Sequence, residues 1–500
     1  MYHVRKTKTA SDSTAIQIVK YVNRKTIVVV HIGSGKTEEE VASLKTSAEK
    51  WIEKNEIQLN IFSNIPKKTP CSLISLDKCK YLGVKSFFVY EILHKLLSKF
   101  KLTELSKPLL MDLIIMRIIE PSSKLRSLSL LKEYFDISYS EKQIYTDVPK
   151  FIDLKTSAEK HIVTLAVSEF NFDFSLVFYD VTTLYFESFE SDELRKPGFS
   201  KDSKSNQPQI VIGLIVSKNG FPVAYEIFEG NKFEGHTIIP VITDFKEKHQ
   251  IKTLTVVADA AMISFANVQS LKENELQYIV GARMSSLPPK LLESLSKQLQ
   301  GKDSESVRIK TPHGDMVCSF SAKRYSKDKR EMEKQIKKAE SLLQKPSGMK
   351  RVKFIASDNN TKYELNTKLI EKAKLLLGLK GYYTNLGEEI ENQTIIEHYH
   401  NLWHVEQAFR VAKSDLQTRP IYHFKQEAIK GHVLICFMAL AVSKYIEIKT
   451  GKSIRYVIHC FKQITDATIQ NVLTGEKVTM RLEISEEIKD LLKKLGLPYS

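Results

Sequence analysis

The chain has 500 residues, more than one hydrophobic core usually supports, so two or three domains are expected. Its 75 Lys and Arg outnumber 59 Asp and Glu, and the resulting net charge of +16 favours a polyanionic partner, of which nucleic acid is the commonest large one. Five cysteines with no Cys-x-x-Cys pair argue against a disulfide framework or a cysteine-rich zinc site, and fit a reducing cytoplasm. The N-terminal stretch MYHVRKTKTASD lacks the apolar centre of a secretory signal. The longest apolar run, Val433 to Val442, is too short to span a membrane and reads as a buried helix.

Residues 1–80 predict a strand over Lys25 to His31 followed by a helix to about Lys54, a strand-and-helix region. Between them, Gly33 to Thr37 spells Gly-Ser-Gly-Lys-Thr, which invites a phosphate-loop reading and with it an ATPase. The first glycine of that motif should stand at 30, where the chain has Val30, so a strand-to-helix turn is the better reading. Residues 81–170 carry helical periodicity throughout, broken at Glu120-Pro121, with Lys124, Arg126 and Lys132 beside the apolar faces. This stretch is either a compact helical DNA-binding region or an ordinary helical bundle.

At 171 the rhythm changes. Ser175 to Asp180, Pro208 to Ser217 and Phe221 to Gly230 read as strands of a meander, and Leu254 to Asp259 and Gln277 to Arg283 as further strands separated by helices. Strands followed by alternating helix and strand give an α/β mixed sheet over 171–283, with two core strands ending in aspartate. Residues 284–385 interrupt it as a basic insertion domain: from Lys323 to Lys353 there are 12 Lys or Arg against 4 Asp or Glu. That excess suits either a solvated face or a DNA-facing lobe. The strand Gly381 to Leu386 leads back into the core, which continues over 386–447, and 448–500 is read as a C-terminal helical tail.

Tyr399 to Pro420 is predicted as a single helix stopped by the proline. At 3.6 residues per turn, Tyr399, Leu402, Trp403, Glu406, Arg410 and Lys413 share one stripe, placing one acid among bases and aromatics. Val405, Ala408, Phe409, Ala412 and Leu416 form a second, apolar stripe that anchors the helix. His400 and His404 have the spacing of a zinc-protease helix, but Asn401 replaces the essential Glu, so the pair reads as helix surface or DNA contact.

An acid just past an apolar strand can serve as a metal ligand without burying an unpaired charge. Asp180 and Asp259 have that placement, and with Glu406 they make three carboxylates able to hold two Mg²⁺ ions, with Mn²⁺ as substitute, for phosphodiester transfer. The competing reading of a strand-end aspartate is a turn residue.

Four blocks in order, FYDVTTLYFE (178–187), EGNKFEGHT (229–237), VVADAAMIS (256–264) and the segment Tyr399 to His423, together resemble the DDE transposases of bacterial insertion sequences over about residues 175 to 445. The resemblance implies a ribonuclease-H-like core interrupted by a β-rich insertion before the third acid, preceded here by the helical N-terminal region. The subgroup's Tyr-x2-Arg-x3-Glu-x6-Lys signature is matched by Tyr399, Glu406 and Lys413; Leu402 stands at the arginine position. By resemblance, Asp180, Asp259 and Glu406 are the catalytic, metal-binding triad. Tyr399, Trp403, Arg410, Lys413, Arg419 and His423 are the expected DNA contacts; Glu187, Asp202 and Glu234 are lesser candidates near the metal site. The implied activity is binding of the element's terminal inverted repeats, cleavage there and transfer of the 3′ ends to target DNA. The implied assembly is a homodimer on double-stranded DNA in the bacterial cytoplasm, at the nucleoid. The rival reading is a DNA-binding regulator or decayed copy that binds the ends and cuts nothing.

Overall fold

The computed structural model describes residues 2–22, 25–55, 79–200, 204, 206–262, 264–312, 314–344, 352–358, 362–472 and 475–497; Asp202 lies outside them. In chain order the elements begin with β1 (Tyr2–Lys8), β2 (Thr14–Val22), β3 (Lys25–Gly35), α1 (Glu38–Asn55) and β4 (Cys79–Lys85). Five helices follow: α2 (Phe87–Lys99), α3 (Pro108–Ile119), α4 (Lys124–Phe135), α5 (Glu141–Asp147) and α6 (Lys155–Phe170). Next come β5 (Leu176–Tyr185), β6 (Gln209–Val216), β7 (Pro222–Glu229), α7 (Ile238–Lys248), β8 (Thr255–Ala258), α8 (Phe265–Glu273) and β9 (Gln277–Gly281). The insertion holds α9 (Pro289–Leu299), β10 (Ser306–Thr311), β11 (Gly314–Phe320), α10 (Ala322–Gln344), β12 (Ile355–Asp358), β13 (Lys362–Leu365) and α11 (Thr367–Leu375). The chain then runs through β14 (Leu379–Thr384), α12 (Asn392–His400), α13 (Trp403–Arg410), α14 (Gln426–Thr450), α15 (Ile454–Gln463), β15 (Asp466–Asn471), β16 (Lys477–Arg481) and α16 (Glu486–Lys494).

Two compact units result, one made of 1–92, 132–136 and 458–500, the other of 93–131 and 137–457. In the first, β1, β2 and β3 form an antiparallel sheet whose Ile16 and Ile18 pack on Leu44 and Ala48 of α1. The glycines of the supposed phosphate loop are ladder residues, Gly33 opposite Ile16 and Gly35 opposite Thr14. Beyond them the amides of Lys36 and Thr37 donate to the Glu40 carboxylate at 2.7 and 3.2 Å, while the Glu40 amide donates to Thr37 Oγ1 at 3.3 Å. This reciprocal cap consumes the amides a phosphate would need, so the segment is a capped strand-to-helix turn. The stretch after 448, expected to be helical, also carries the β15–β16 hairpin, which pairs with β4. Its β-branched pairs Thr468 with Thr479 and Ile469 with Val478 suit a pleated ladder better than a helix.

The second unit is built on an eight-stranded sheet in the order β10-β11-β14-β9-β8-β5-β6-β7. Strands β5, β6 and β7 are antiparallel neighbours, whereas β8 and β9 run parallel to β5 on its other side. Numbered within the core, that is the order 3-2-1-4-5 of a ribonuclease-H-like sheet, here as a mixed α/β fold. β14, β11 and β10 extend it, so part of the insertion joins the main sheet. Helices α10 and α11 with β12 and β13 close a small core of their own on Met332, Ala339, Phe354 and Leu377. Helix α14 is long and apolar enough to cross a membrane by composition, but 89% of that window is buried, and it packs against α3 as the central helix of the unit.

Two sequence expectations change here. Strand β5 does not stop at Asp180 but continues to Tyr185, because Val181 to Tyr185 keep their ladder with β6. The helix over Tyr399–Pro420 is three pieces: α12 ends at His400, α13 runs from Trp403 to Arg410, and a π-helical turn spans Val411–Asp415. Tightened i to i+3 hydrogen bonds from Leu402, His404 and Val405 join the first two pieces.

Candidate active site

The site begins with strand register. β5 and β8 run parallel with Tyr179 opposite Ala258 as their last pair, so Asp180 and Asp259 are the next residue on each of two neighbouring strands. Asp180 is half-buried and still paired with Leu214 of β6, while Asp259 leaves the sheet and is exposed. The Asp259 Oδ1 accepts the amide of Ala260 at 2.7 Å and the hydroxyl of Tyr399 at 3.2 Å. Tyr399 comes from the end of α12 and reaches that carboxylate past Gly281, the last residue of β9. A Cβ at 281 would stand 2.5 Å from the Tyr399 hydroxyl oxygen, so the missing side chain is what admits it.

Lys380 of β14 completes the cluster, its Nζ 4.6 Å from the centre of the Tyr399 ring and 5.5 Å from that of Tyr382. Burial and the charge of Arg324 lower its pKa, while Asp259 and Glu406 pull it back up. Burial, then the charge and hydrogen bond of Asp259, push the Tyr399 hydroxyl well above its ordinary value, and Glu406 adds to the effect. Asp259 and Glu406, 147 positions apart by their numbers, therefore act on the same lysine and the same tyrosine. Glu406 itself is exposed in the first turn of α13.

A family model described as the transposase DDE domain matches residues 172–442, more than half of the chain. The chain belongs to the DDE transposases. Among solved structures it is similar to the piggyBac transposase in a synaptic complex with hairpin DNA, at 10% identity and a TM-score of 0.37, over 75% of this chain and 77% of that one. No curated protein sequence matches it.

Within this transposase the residues of the signature segment part company. The apolar stripe is buried at Val405, Ala408, Phe409 and Leu416, with Ala412 half-buried. Leu402 is 6% exposed, a core residue, so the signature position that carries arginine elsewhere is turned inward here. Trp403 is 50% exposed and lies on His404, ring centres 4.0 Å apart, rather than in the core. Arg410 is exposed beside it. Lys413 does not continue the Glu406 stripe: the π turn changes the angle per residue, and Lys413 lines a cavity of about 40 Å³ with Thr182 and Leu184 of β5. His400 meets the Tyr382 hydroxyl at 3.3 Å, and His404 lies against Gly220, so the two histidines have separate surroundings. Arg419 lies over Tyr185 at 5.6 Å, and with His423 it lines a different cavity. Glu187 takes a hydrogen bond from Gln207 at 3.4 Å, and Glu234 begins a short 3₁₀ turn before α7.

Sequence reading passed over Lys380. Its signal was the position: a lysine one residue before the glycine of Gly381-Tyr-Tyr, on an otherwise apolar strand. Divalent metal ions are general in this family, and the donor chemistry fits them, because hard cations take carboxylate oxygens and Asp180, Asp259 and Glu406 supply only those. As the side chains stand, the described residues include no group of three or more His, Cys, Asp or Glu spaced to hold one ion.

Proposed function

We propose that the chain is a metal-dependent DNA transposase of a bacterial insertion element, acting in the cytoplasm. It binds the element's terminal inverted repeats, cleaves there and transfers the 3′ ends to target DNA. The observation that carries this reading is the strand register that sets Asp180 and Asp259 at neighbouring positions, supported by the charges of Asp259 and Glu406 both acting on Lys380 and Tyr399. A carboxylate edge on a basic chain has an evident substrate in a phosphodiester, and joining two ends calls for a homodimer.

Asp180, Asp259 and Glu406 would hold the two Mg²⁺ or Mn²⁺ ions, which supply activation of the attacking oxygen and stabilisation of the leaving one. The protein's own part is positioning. Tyr399 fixes the Asp259 carboxylate by its hydrogen bond, and Lys380 interacts favourably with Asp259 and Glu406 where the cations would bind. The exposed ring of Trp403 offers a stacking face to an unpaired base, and Arg410 a charge to the strand backbone. On α10, Lys323, Lys327, Arg330, Lys334, Lys337 and Lys338 recur at helical spacing along one side of a long helix, and they offer a basic face to flanking DNA.

The test is cleavage of a duplex carrying the inverted repeats that flank the gene, with Mg²⁺ or Mn²⁺. Wild-type protein is expected to cut, and Asp180→Asn, Asp259→Asn and Glu406→Gln to bind without cutting. Variants that all cut as well as the parent would remove the triad; binding with no cleavage by the parent under any metal would leave a DNA-binding protein.

A further inference from the structure

A second charged cavity, of about 220 Å³, lies in the larger unit where the start of α4 meets the segment 417–423 and α14. Two of its lining side chains are basic and almost fully buried, Arg117 at 5% and Lys124 at 6% exposure. Among the described residues, no Asp or Glu lines the cavity to balance them. The Arg117 guanidinium donates to the carbonyls of Leu416 and Gln417, at 3.5 and 3.4 Å. Lys124 Nζ meets Nδ1 of His432, whose Nε2 faces the Thr418 carbonyl at 3.1 Å. A carbonyl can only accept, so Nε2 carries the proton and Nδ1 presents a lone pair to the Lys124 amino group. Arg419 and His423 line the same cavity, and Ser122, Ser123 and Leu125 place the N-terminus of α4 against it.

Burying two basic groups without a carboxylate is costly for their charged forms, and an anion entering the site would restore the balance. The N-terminus of α4 adds the positive end of its dipole; Ser123 Oγ caps the Arg126 amide at 3.2 Å, and the amides of Lys124 and Leu125 precede that cap, the arrangement that favours phosphate. Crowding of positive charge shows in the neighbouring groups: burial, then Lys124 and Arg117, hold the His423 imidazole down at a pKa of about 3, and burial with Arg117 lowers Lys124.

We propose that this cavity is a phosphate-binding pocket, in which Arg117, Lys124 and the first turn of α4 hold one phosphate of the DNA backbone outside the carboxylate edge. The DNA source rests on the transposase reading; the phosphate chemistry does not.

The experiment has two arms, both on the full chain and neither using cleavage. In the first, inorganic phosphate is titrated against thermal unfolding and by calorimetry. Wild type should gain stability with phosphate, and Arg117→Gln and Lys124→Met should lose at least about tenfold in phosphate affinity, the scale of a charge-assisted hydrogen bond. Lys310→Gln, at an exposed lysine, should respond as wild type does. Since Lys124→Met removes a buried basic group that no carboxylate balances, it should fold no worse without phosphate than wild type does; a mere packing role predicts the opposite. Arg419→Gln, at the half-buried rim, gives a second variant should either buried one fail to fold. In the second arm, terminal-repeat DNA is bound across a salt series, and each pocket variant should reduce the slope of log affinity against log salt by about one. No response of wild type to phosphate overturns the pocket. A phosphate response with unchanged DNA salt slopes overturns the DNA assignment and makes free phosphate the ligand. Failure of the chain to cut DNA would count against the proposed function and leave both arms readable.

Discussion

The hydroxyl of Tyr399 donates to the carboxylate of Asp259 at 3.2 Å, and it does so through the space left by Gly281. Two substitutions test that relationship from opposite sides. Tyr399→Phe removes the donor and keeps the ring; Gly281→Ala keeps the donor and displaces it. A hydrogen bond to a charged group is worth about 1.5 to 3 kcal/mol, so each is expected to slow cleavage by about 10- to 100-fold. DNA affinity should move little, measured by gel shift beside single-turnover cleavage. Tyr399→Phe with undiminished cleavage would show that Asp259 needs no such support.

Lys380 tests the electrostatics of the same edge. Its ammonium interacts favourably with both Asp259 and Glu406, which makes it a competitor for any divalent cation those acids bind. Lys380→Met should therefore lower the Mn²⁺ concentration that gives half-maximal cleavage. A unit charge interacting at about 1 kcal/mol corresponds to a shift of about fivefold. A higher metal requirement would mean that the lysine organises the carboxylates instead of competing at them.

How much of this was legible beforehand depended on what each residue answers to. Asp259 was legible because the short run Thr255 to Ala258 is a complete, buried strand and the acid follows it. Asp180 was legible as an acid of the core but misplaced at a strand end, since the pairing of Val181 to Tyr185 with β6 is a long-range fact that local composition does not carry. The stripe on Tyr399 to Pro420 assumed one uniform repeat. The 3₁₀ junction at Leu402 and the π turn at Val411 to Asp415 rotate its ends, burying Tyr399 and Leu402 and turning Lys413 toward β5. The pocket of Arg117, Lys124 and His432 joins positions about 300 apart, and no spacing rule in the sequence reaches across that distance.

Glu169 gives a pH dependence of stability. Its carboxylate bonds Lys99 at 2.9 Å and Lys449 at 2.7 Å. Burial alone would raise its pKa, but the hydrogen bonds from Lys449 and Lys99 outweigh that and hold it below the ordinary 4.5. A folded-state pKa depressed below the unfolded one contributes stability above the unfolded value, and this is lost as pH falls through the folded value. Unfolding temperatures of wild type and Glu169→Gln should thus differ by a constant amount above about pH 5 and converge below the ordinary carboxylate pKa. A difference that persists at low pH would assign the loss to packing rather than charge.

Gly431 lies in the buried helix α14, where substitution sets two effects against each other. Replacing glycine by alanine inside a helix gains about 1 kcal/mol from backbone entropy. A Cβ at 431, however, would stand 2.0 Å from the Val148 carbonyl oxygen and 3.0 Å from its carbon. These are backbone atoms, unable to swing aside as a side-chain end would, so α14 must move away from the Val148 segment and open its packing there. Overpacking of this kind costs about 1 to 3 kcal/mol or more, which outweighs the propensity gain and makes Gly431→Ala a net loss. Gly451, the cap at the end of the same helix, is the control: its φ is +69° and a Cβ there meets nothing within 4 Å. Gly451→Ala should cost only the left-handed backbone strain, about 1 kcal/mol. Chemical denaturation of the two variants should rank Gly431→Ala as the less stable, and the reverse order would mean that the Val148 segment yields easily to α14.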